Sequence, residues 1–266
     1  MSELNKRVVV LRGECDGDCG GNYSVAAGEE LSFYQMCGGG DHSLTLRLAE
    51  GAKAKVVFAA TEQGESNYDY TVELNGAGAE LELYGLYLCG EGAKCHIRTN
   101  VRHNVADCKS NQVVKGIAKD NGVGTFDGLV YVAPDAQRTE AYQQSRNMLL
   151  SRTARIHTNP QLEIYADDVK CSHGATVGNI DDEAIYYMRQ RGLSEEQARR
   201  LQVGGFLRDV LSHIDDEAIR EEFELKIENL RLMVDKIEEY VQSIRYTRRI
   251  SDTWREGLWQ AIGLPR

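Results

Sequence analysis

Apolar and polar residues alternate along short stretches in the first two thirds of the chain. The alternation is clearest in residues 44–48 and 68–74, where every second side chain is apolar. Successive side chains of a β-strand point to opposite faces, so this pattern predicts strands with one buried face. The residues expected on those buried faces are Leu44, Leu46, Leu48, Tyr68, Tyr70, Val72 and Leu74. Residues 79–89 and 96–101 are further predicted strands.

These predicted strands follow one another closely, with glycine-rich turns and no helical pattern between them. A sandwich, a barrel or a β-solenoid could each produce such spacing. The combination of a strand, a GxGA turn and another strand occurs at residues 76–79 and again at 90–93. Repetition of this kind favours a solenoid, in which each turn covers the apolar face of the next.

The pattern changes to a helical one after Gly178. A first helix is predicted over residues 181–190, with Gly192 as the C′ residue. Ser194 and Gln197 have the spacing of a capping box, which predicts a second helix that continues to about Ile214.

A third helix is predicted from about Asp215, and its apolar residues recur with a heptad spacing. They are Phe223, Ile227, Leu230, Val234, Ile237, Val241 and Ile244. The spacing fits either a coiled coil or a helix packed on its own domain. A solenoid closes its own core, so we expect this stripe to pack against a second copy or a partner. We therefore divide the chain into a β-domain (1–179), a helical domain (180–222) and a heptad helix with a tail (223–266).

Composition and charge narrow the possible functions. The net charge of −10 argues against a nucleic-acid partner, which requires a basic surface. The sequence contains no apolar run long enough to span a bilayer and opens without a signal-peptide pattern, so a cytoplasmic location is expected. Most of the seven cysteines should then be free thiols. The chain lacks a GxxxxGK[ST] loop, so it is not expected to bind a nucleotide in that way.

Candidate chemistry lies in the segment DDVKCSHGATVG, residues 167–178. Cys171 and His173 would face the same side of a strand and present a thiol beside an imidazole. These groups suit zinc, iron and iron–sulfur clusters, but two ligands do not complete such a site. The rest would come from elsewhere in this chain or from a second chain. The alternative is a buried cysteine and a hydrogen-bonded histidine that simply end the last strand.

The segment of residues 160–178 resembles the signature of the SufB/SufD family, in its SufD form. The similarity continues through residues 180–194 and through the shorter motifs at 110–112, 115–116 and 126–128, and it covers roughly residues 80–225. A cysteine that SufB-type chains carry has no counterpart near Gln144 and Ser145, which favours the SufD form.

The resemblance implies a right-handed parallel β-helix followed by a C-terminal helical domain. It implies a non-enzymatic role in iron–sulfur cluster assembly, with the helices docking a SufC-type ABC ATPase and the β-helix pairing with a SufB-type subunit. Cys171 and His173 would then hold iron or a cluster transiently at that interface. Phe206, Leu207 and Leu211 are the expected ATPase contacts, because an apolar helical face outside the β-helix must be covered. The N-terminal helical domain of longer SufD proteins is expected to be missing.

Two other functions stay open at this point. One is a minimal homodimeric scaffold that works with the ATPase alone. The other is a carbohydrate-active enzyme built on a β-helix, for which Asp167 and Asp168 could be offered as the carboxylates. Neighbouring residues on a strand point to opposite faces, which argues against that pair.

Overall fold

The computed structural model describes residues 6–14, 20–61 and 64–229. The chain separates into two compact units, Met1–Gly178 and Asn179–Arg266. In the described residues the first unit contains β-strands, and the helices belong to the second.

Apart from the second strand, which has 5 residues, the strands have 9 to 11 residues. Their bounds are β1 Lys6–Glu14, β2 Gly21–Val25, β3 Glu30–Gly38, β4 Gly40–Leu48, β5 Lys53–Thr61, β6 Glu65–Leu74, β7 Glu80–Cys89, β8 Lys94–His103, β9 Lys109–Ala118, β10 Val123–Val132, β11 Thr139–Leu149, β12 Arg155–Ile164 and β13 Val169–Asn179. The four stretches that the sequence pattern singled out coincide with β4, β6, β7 and β8, each within a few residues.

The strands form two parallel sheets that coil around a common interior. The odd-numbered strands make a seven-stranded sheet in the order β1-β3-β5-β7-β9-β11-β13, and the even-numbered strands make a six-stranded sheet from β12 to β2. Neighbouring strands are parallel, for example β7 on β9 and β8 on β10. Each turn therefore gives one strand to each sheet. This arrangement confirms the solenoid and excludes the sandwich and the barrel.

The interior is filled by the alternate residues that the sequence pattern had placed there. Leu46, Leu48, Tyr68, Val72 and Leu74 are all 0% exposed. Parallel register stacks equivalent positions of successive turns on one another, as with Glu80 between Lys53 and Lys109. The predicted buried faces of β4 and β6 are confirmed.

Part of the outer face of the seven-stranded sheet is also apolar, which the alternating pattern of β4 and β6 does not indicate. Tyr34, Val57, Leu86 and Ile117 alternate with inward residues, yet each is at most 3% exposed. Apolar side chains of this sheet are therefore buried on both of its faces. The partner of the heptad stripe stays a prediction.

The helices of the second unit begin within two residues of the predicted starts, and the predicted Ser194 capping box is present. In α1, Asp182–Arg189, the Asp181 carboxylate accepts from the backbone of Glu183 and Ala184. In α2, Glu195–Leu211, both hydrogen bonds of the Ser194 and Gln197 capping box are present. In α3, Glu217–Asn229, the Asp216 side chain accepts from the Ile219 N–H.

The helix ends differ slightly from the prediction. Gly192 has a left-handed φ of 91°, but α1 is capped at Gln190, so Gly192 lies one position beyond C′. The second helix ends at Leu211 and is capped by Ser212, three residues before Ile214. A hydrogen-bonded turn follows the helix, in which the Ile214 N–H donates to the Leu211 carbonyl. This turn extends the apolar pattern of the helix as far as Ile214.

Only the start of the heptad helix lies in the described residues. There Phe223 and Ile227 are 0% and 2% exposed. Leu230, Val234, Ile237, Val241 and Ile244 lie outside the described residues. Helix α3 runs through the expected boundary at 222/223, and the three-part division stays a prediction. Among the described helices, none is long and apolar enough to cross a bilayer.

Candidate functional site

Cys171 and His173 lie on β13, the last strand of the seven-stranded sheet. Both β13 and β12 are edge strands, and no strand in the described part of the chain pairs with their outer edges. The turn that they form is called the open end of the solenoid below. Most residues of β13 are exposed, because no further turn of the described solenoid is stacked on its outer edge.

Hydrogen bonds between β11 and β13 fix which residues of the two strands lie side by side. The Lys170 ammonium is 3.1 Å from the Glu140 carboxylate, and the Arg138 N–H donates to the Asp168 carbonyl at 2.6 Å. One residue further along each strand, Cys171 packs against the apolar cluster that contains Ala141. Cys171 is therefore level with Ala141, and two residues further along the strands His173 is level with Gln143.

Cys171 is half-buried and points inward. It packs against the small apolar cluster formed by Val130, Val132, Ala136, Ala141 and Ala166. Burial raises the pKa of the Cys171 thiol, and its hydrogen bond to the Ala141 backbone only partly offsets that rise. In the isolated chain the group is a protonated thiol at neutral pH, and a metal ion that binds it must displace the proton.

His173 is exposed, and one hydrogen bond fixes its tautomer. Its Nδ1 lies 3.1 Å from the Pro160 carbonyl oxygen on β12. A carbonyl oxygen can only accept, so Nδ1 carries the proton and Nε2 keeps its lone pair. Histidines that bind metals usually have this arrangement, in which one ring nitrogen donates to a carbonyl and the other is the ligand. The His173 ring is thus hydrogen-bonded, as expected for a histidine that only ends the last strand. The same hydrogen bond also leaves Nε2 available as a metal ligand.

The two side chains do not make a complete metal site. Within residues 6–14, 20–61 and 64–229, no cluster of three or more His, Cys, Asp or Glu side chains could hold a metal ion. A thiolate and an imidazole are ligand types that suit iron or a cluster, and a site built on them would need further ligands from beyond these residues.

A polar network, which the sequence analysis missed, fills the interior next to the open end. The Tyr87 hydroxyl donates to Asn147 Oδ1 at 2.6 Å, and Asn147 Nδ2 donates to the Thr176 carbonyl of β13 at 3.0 Å. A Cβ at Gly116 would overlap the Tyr87 ring and come within 2.5 Å of Asn147 Oδ1. The glycine of the Lys115-Gly116 motif therefore makes room for this hydrogen bond.

The sequence of β11 does contain a signal for this polar network. The inward positions of β11 are Thr139, Ala141, Gln143, Ser145 and Asn147. Four of the five are polar, although all are buried. Polar residues at core positions of an alternating strand usually mark a specific role.

The three expected ATPase contacts have different exposures within the second unit. Phe206 is partly exposed, whereas Leu207 and Leu211 are 4% and 3% exposed. The two leucines thus pack inside the chain and offer little surface to a partner. Tyr186, which the sequence analysis did not select, is 64% exposed on α1.

Comparison with known proteins gives one family match and several similar relatives. Residues 42–206, more than half of the chain, match the family model described as SUF system FeS cluster assembly, SufBD core domain. The iron-sulfur cluster assembly protein SufD of Escherichia coli is 38% identical over 177 residues, which are 66% of this chain and 42% of that protein.

Two other relatives show similar coverage. A SufBD family protein of Mycobacterium leprae is 36% identical over 59% of this chain and 42% of its own length. The protein named ABCI7, chloroplastic, of Arabidopsis thaliana is 36% identical over 66% of this chain and 38% of its own length. The chain thus spans less than half the length of these curated relatives.

Proposed function

The chain belongs to the SufBD core family of the SUF iron–sulfur cluster assembly system, and from this premise we propose that it is a SufD-like subunit of the assembly scaffold. In this role it holds iron or a nascent cluster as cargo, at an interface with a second β-helix. It is an assembly component rather than an enzyme, and we expect it to act in the cytoplasm.

The observation that carries the proposal is the ligand pair at the open end of the solenoid. Cys171 and His173 lie two residues apart on an edge strand, and the Pro160 carbonyl leaves His173 Nε2 as the ligand atom. A site of about four ligands needs more than these two. A second chain docked at the open end would supply the others.

The open end is suited to pairing with another β-helix. Edge strands have backbone N–H and C=O groups that can bond a further strand. Exposed apolar side chains line the same turn: Ile164 is 37%, Tyr165 60% and Val177 43% exposed. Burying them at an interface would add a hydrophobic contribution to backbone pairing.

A SufB-type subunit is the partner that we propose for this edge. The alternative is a second copy of this chain, in a homodimeric scaffold that works with the ATPase alone. The mass of the complex isolated from its own cells distinguishes the two, since the heterodimer contains two different chains.

The helical unit is the proposed docking element for a SufC-type ATPase. Phe206 stays the candidate among the three original contacts, and Tyr186 and Tyr187 of α1 join it because they are 64% and 38% exposed. The ATPase binds the nucleotide, and this chain is proposed to bind none.

Substitutions in the signature segment test the proposal. Cys171→Ser and His173→Ala should each lower the iron and sulfide retained by the anaerobically reconstituted complex about tenfold or more, because each removes a ligand. Ser172→Ala is the matched control, since Ser172 lies between them and faces the other side of the strand.

All three variants should keep the wild-type urea midpoint, because β13 is largely exposed. Equal iron retention in the three variants and the wild type would refute the proposal. Loss of folding in the two ligand variants, with unchanged iron per folded molecule, would make both residues purely structural.

A further inference from the structure

The side chain of Gln143 is fully buried beneath the open end of the solenoid. It is 0% exposed, and neither its amide nitrogen nor its amide oxygen has a hydrogen-bond partner in the described part of the chain. Buried polar groups are nearly always paired, because an unpaired one retains its full desolvation penalty. An amide kept here with both atoms unpaired points to a partner that the chain itself does not supply.

The position of Gln143 indicates where that partner would lie. On β11 it is level with His173 of β13, as the ion pair between Lys170 and Glu140 and the packing of Cys171 near Ala141 indicate. Across the interior its amide lies against Gly128, where an added Cβ would be 2.5 Å from Nε2. Gly128 pairs in register with Pro160, whose carbonyl holds the His173 ring. Adjacent strands are about 4.8 Å apart, so Gln143 is one strand away from His173, and its amide lies against the strand next to that of Pro160.

We propose that Gln143 hydrogen-bonds the group that Cys171 and His173 hold, an inference that rests on the proposed function. Its amide N–H donates to a sulfide, thiolate or hydroxide ligand of the bound iron, and its carbonyl oxygen accepts from a protonated ligand or water. Hydrogen bonds to the sulfurs of iron–sulfur centres tune their electronic properties, and such outer partners affect affinity strongly. A neutral amide provides the donor without adding a charge to the interior.

Gln112 offers a matched control within the same chain. It pairs in register with Gln143 one turn earlier, is 0% exposed, and also has both amide atoms unpaired among the described residues. The two residues therefore share chemistry, burial and strand position. Only Gln143 is adjacent to the last turn.

The test compares Gln143→Met with Gln112→Met in the full chain, isolated with its natural partners and reconstituted anaerobically with Fe²⁺ and sulfide. Methionine keeps the side-chain length and removes the amide. We expect Gln143→Met to shift the iron–sulfur stretching bands in resonance Raman spectra and to weaken iron retention about tenfold or more. Gln112→Met should leave both unchanged, and neither variant should lower the urea midpoint, because each removes an unpaired buried amide.

Identical spectra and iron retention for Gln143→Met and the wild type would overturn the inference, as would equal effects of the two substitutions. If Gln143→Met fails to fold, Gln143→Asn keeps the amide but draws it back by one methylene. Its spectrum should still differ from that of the wild type, and identity would again overturn the inference. Failure of the proposed function looks different: the wild type and Cys171→Ser would then retain equal iron.

Discussion

At the scale of single residues, Cys171 and His173 differ in what they require before they can bind a metal. The Pro160 carbonyl already holds His173 in the tautomer whose Nε2 is a ligand. Cys171 must first lose a proton that burial holds on the sulfur. Metal binding should therefore release a proton from the thiol.

The pH dependence follows from the raised pKa of Cys171. Below that pKa the thiol is protonated and binding releases one proton, so metal affinity should rise about tenfold per pH unit. Above it the affinity should level off. Cd²⁺ titrations of the chain between about pH 7.5 and pH 8.5, above the ordinary range of a histidine pKa, would measure the slope. The slope should be lost in Cys171→Ser, and a pH-independent affinity in the wild type would contradict the assignment.

Two glycines of the family motifs should respond differently to an added methyl group. At Gly116 a Cβ would overlap the Tyr87 ring, whereas at Gly174 nothing lies within 4 Å. Gly116→Ala should lower the free energy of unfolding by about 1–3 kcal/mol through overpacking. Gly174→Ala should change it by less than about 0.5 kcal/mol. Urea denaturation measures both, and an equal effect would show that the interior relaxes around the Tyr87 and Asn147 bond.

At the scale of elements, helix α3 shows how far a heptad pattern can be interpreted. The spacing correctly predicted that Phe223 and Ile227 share a buried face. The heptad spacing could not identify what covers that face. Such a pattern predicts that a residue is buried, but not which partner it packs against. The same limit hid the apolar outer face of the seven-stranded sheet.

A pair of substitutions in α3 tests whether the described part of the heptad stabilises the single chain. Phe223 is 0% exposed and Leu225 is 59% exposed on the same helix. Phe223→Ala should lower the free energy of unfolding of the helical unit by about 3–5 kcal/mol, and Leu225→Ala should change it by less than about 0.5 kcal/mol. Circular dichroism at several protein concentrations is the measurement. If the loss from Phe223→Ala appears only at concentrations where the chain is oligomeric, the face is an intermolecular one.

At the scale of the whole molecule, the fold could be predicted from the sequence because solenoid turns repeat. Alternation located the buried faces of β4 and β6, and the repeated GxGA turns indicated stacking. The neighbouring positions of Cys171 and His173 could be predicted because two residues on one strand have a fixed relation. Their role as ligands stays a prediction. Gln143, Pro160 and His173 come from three strands, and their proximity depends on a register that no local pattern specifies.

The central claim is that this chain contributes His173 to an iron site completed by another subunit. The most direct measurement is electron–nuclear double resonance on the reconstituted complex, with this chain alone labelled with ¹⁵N. We expect a ¹⁵N hyperfine coupling to the iron centre that disappears in His173→Ala and persists in Ser172→Ala. An iron centre without ¹⁵N coupling in the wild-type complex, or a coupling that survives in His173→Ala, would contradict it.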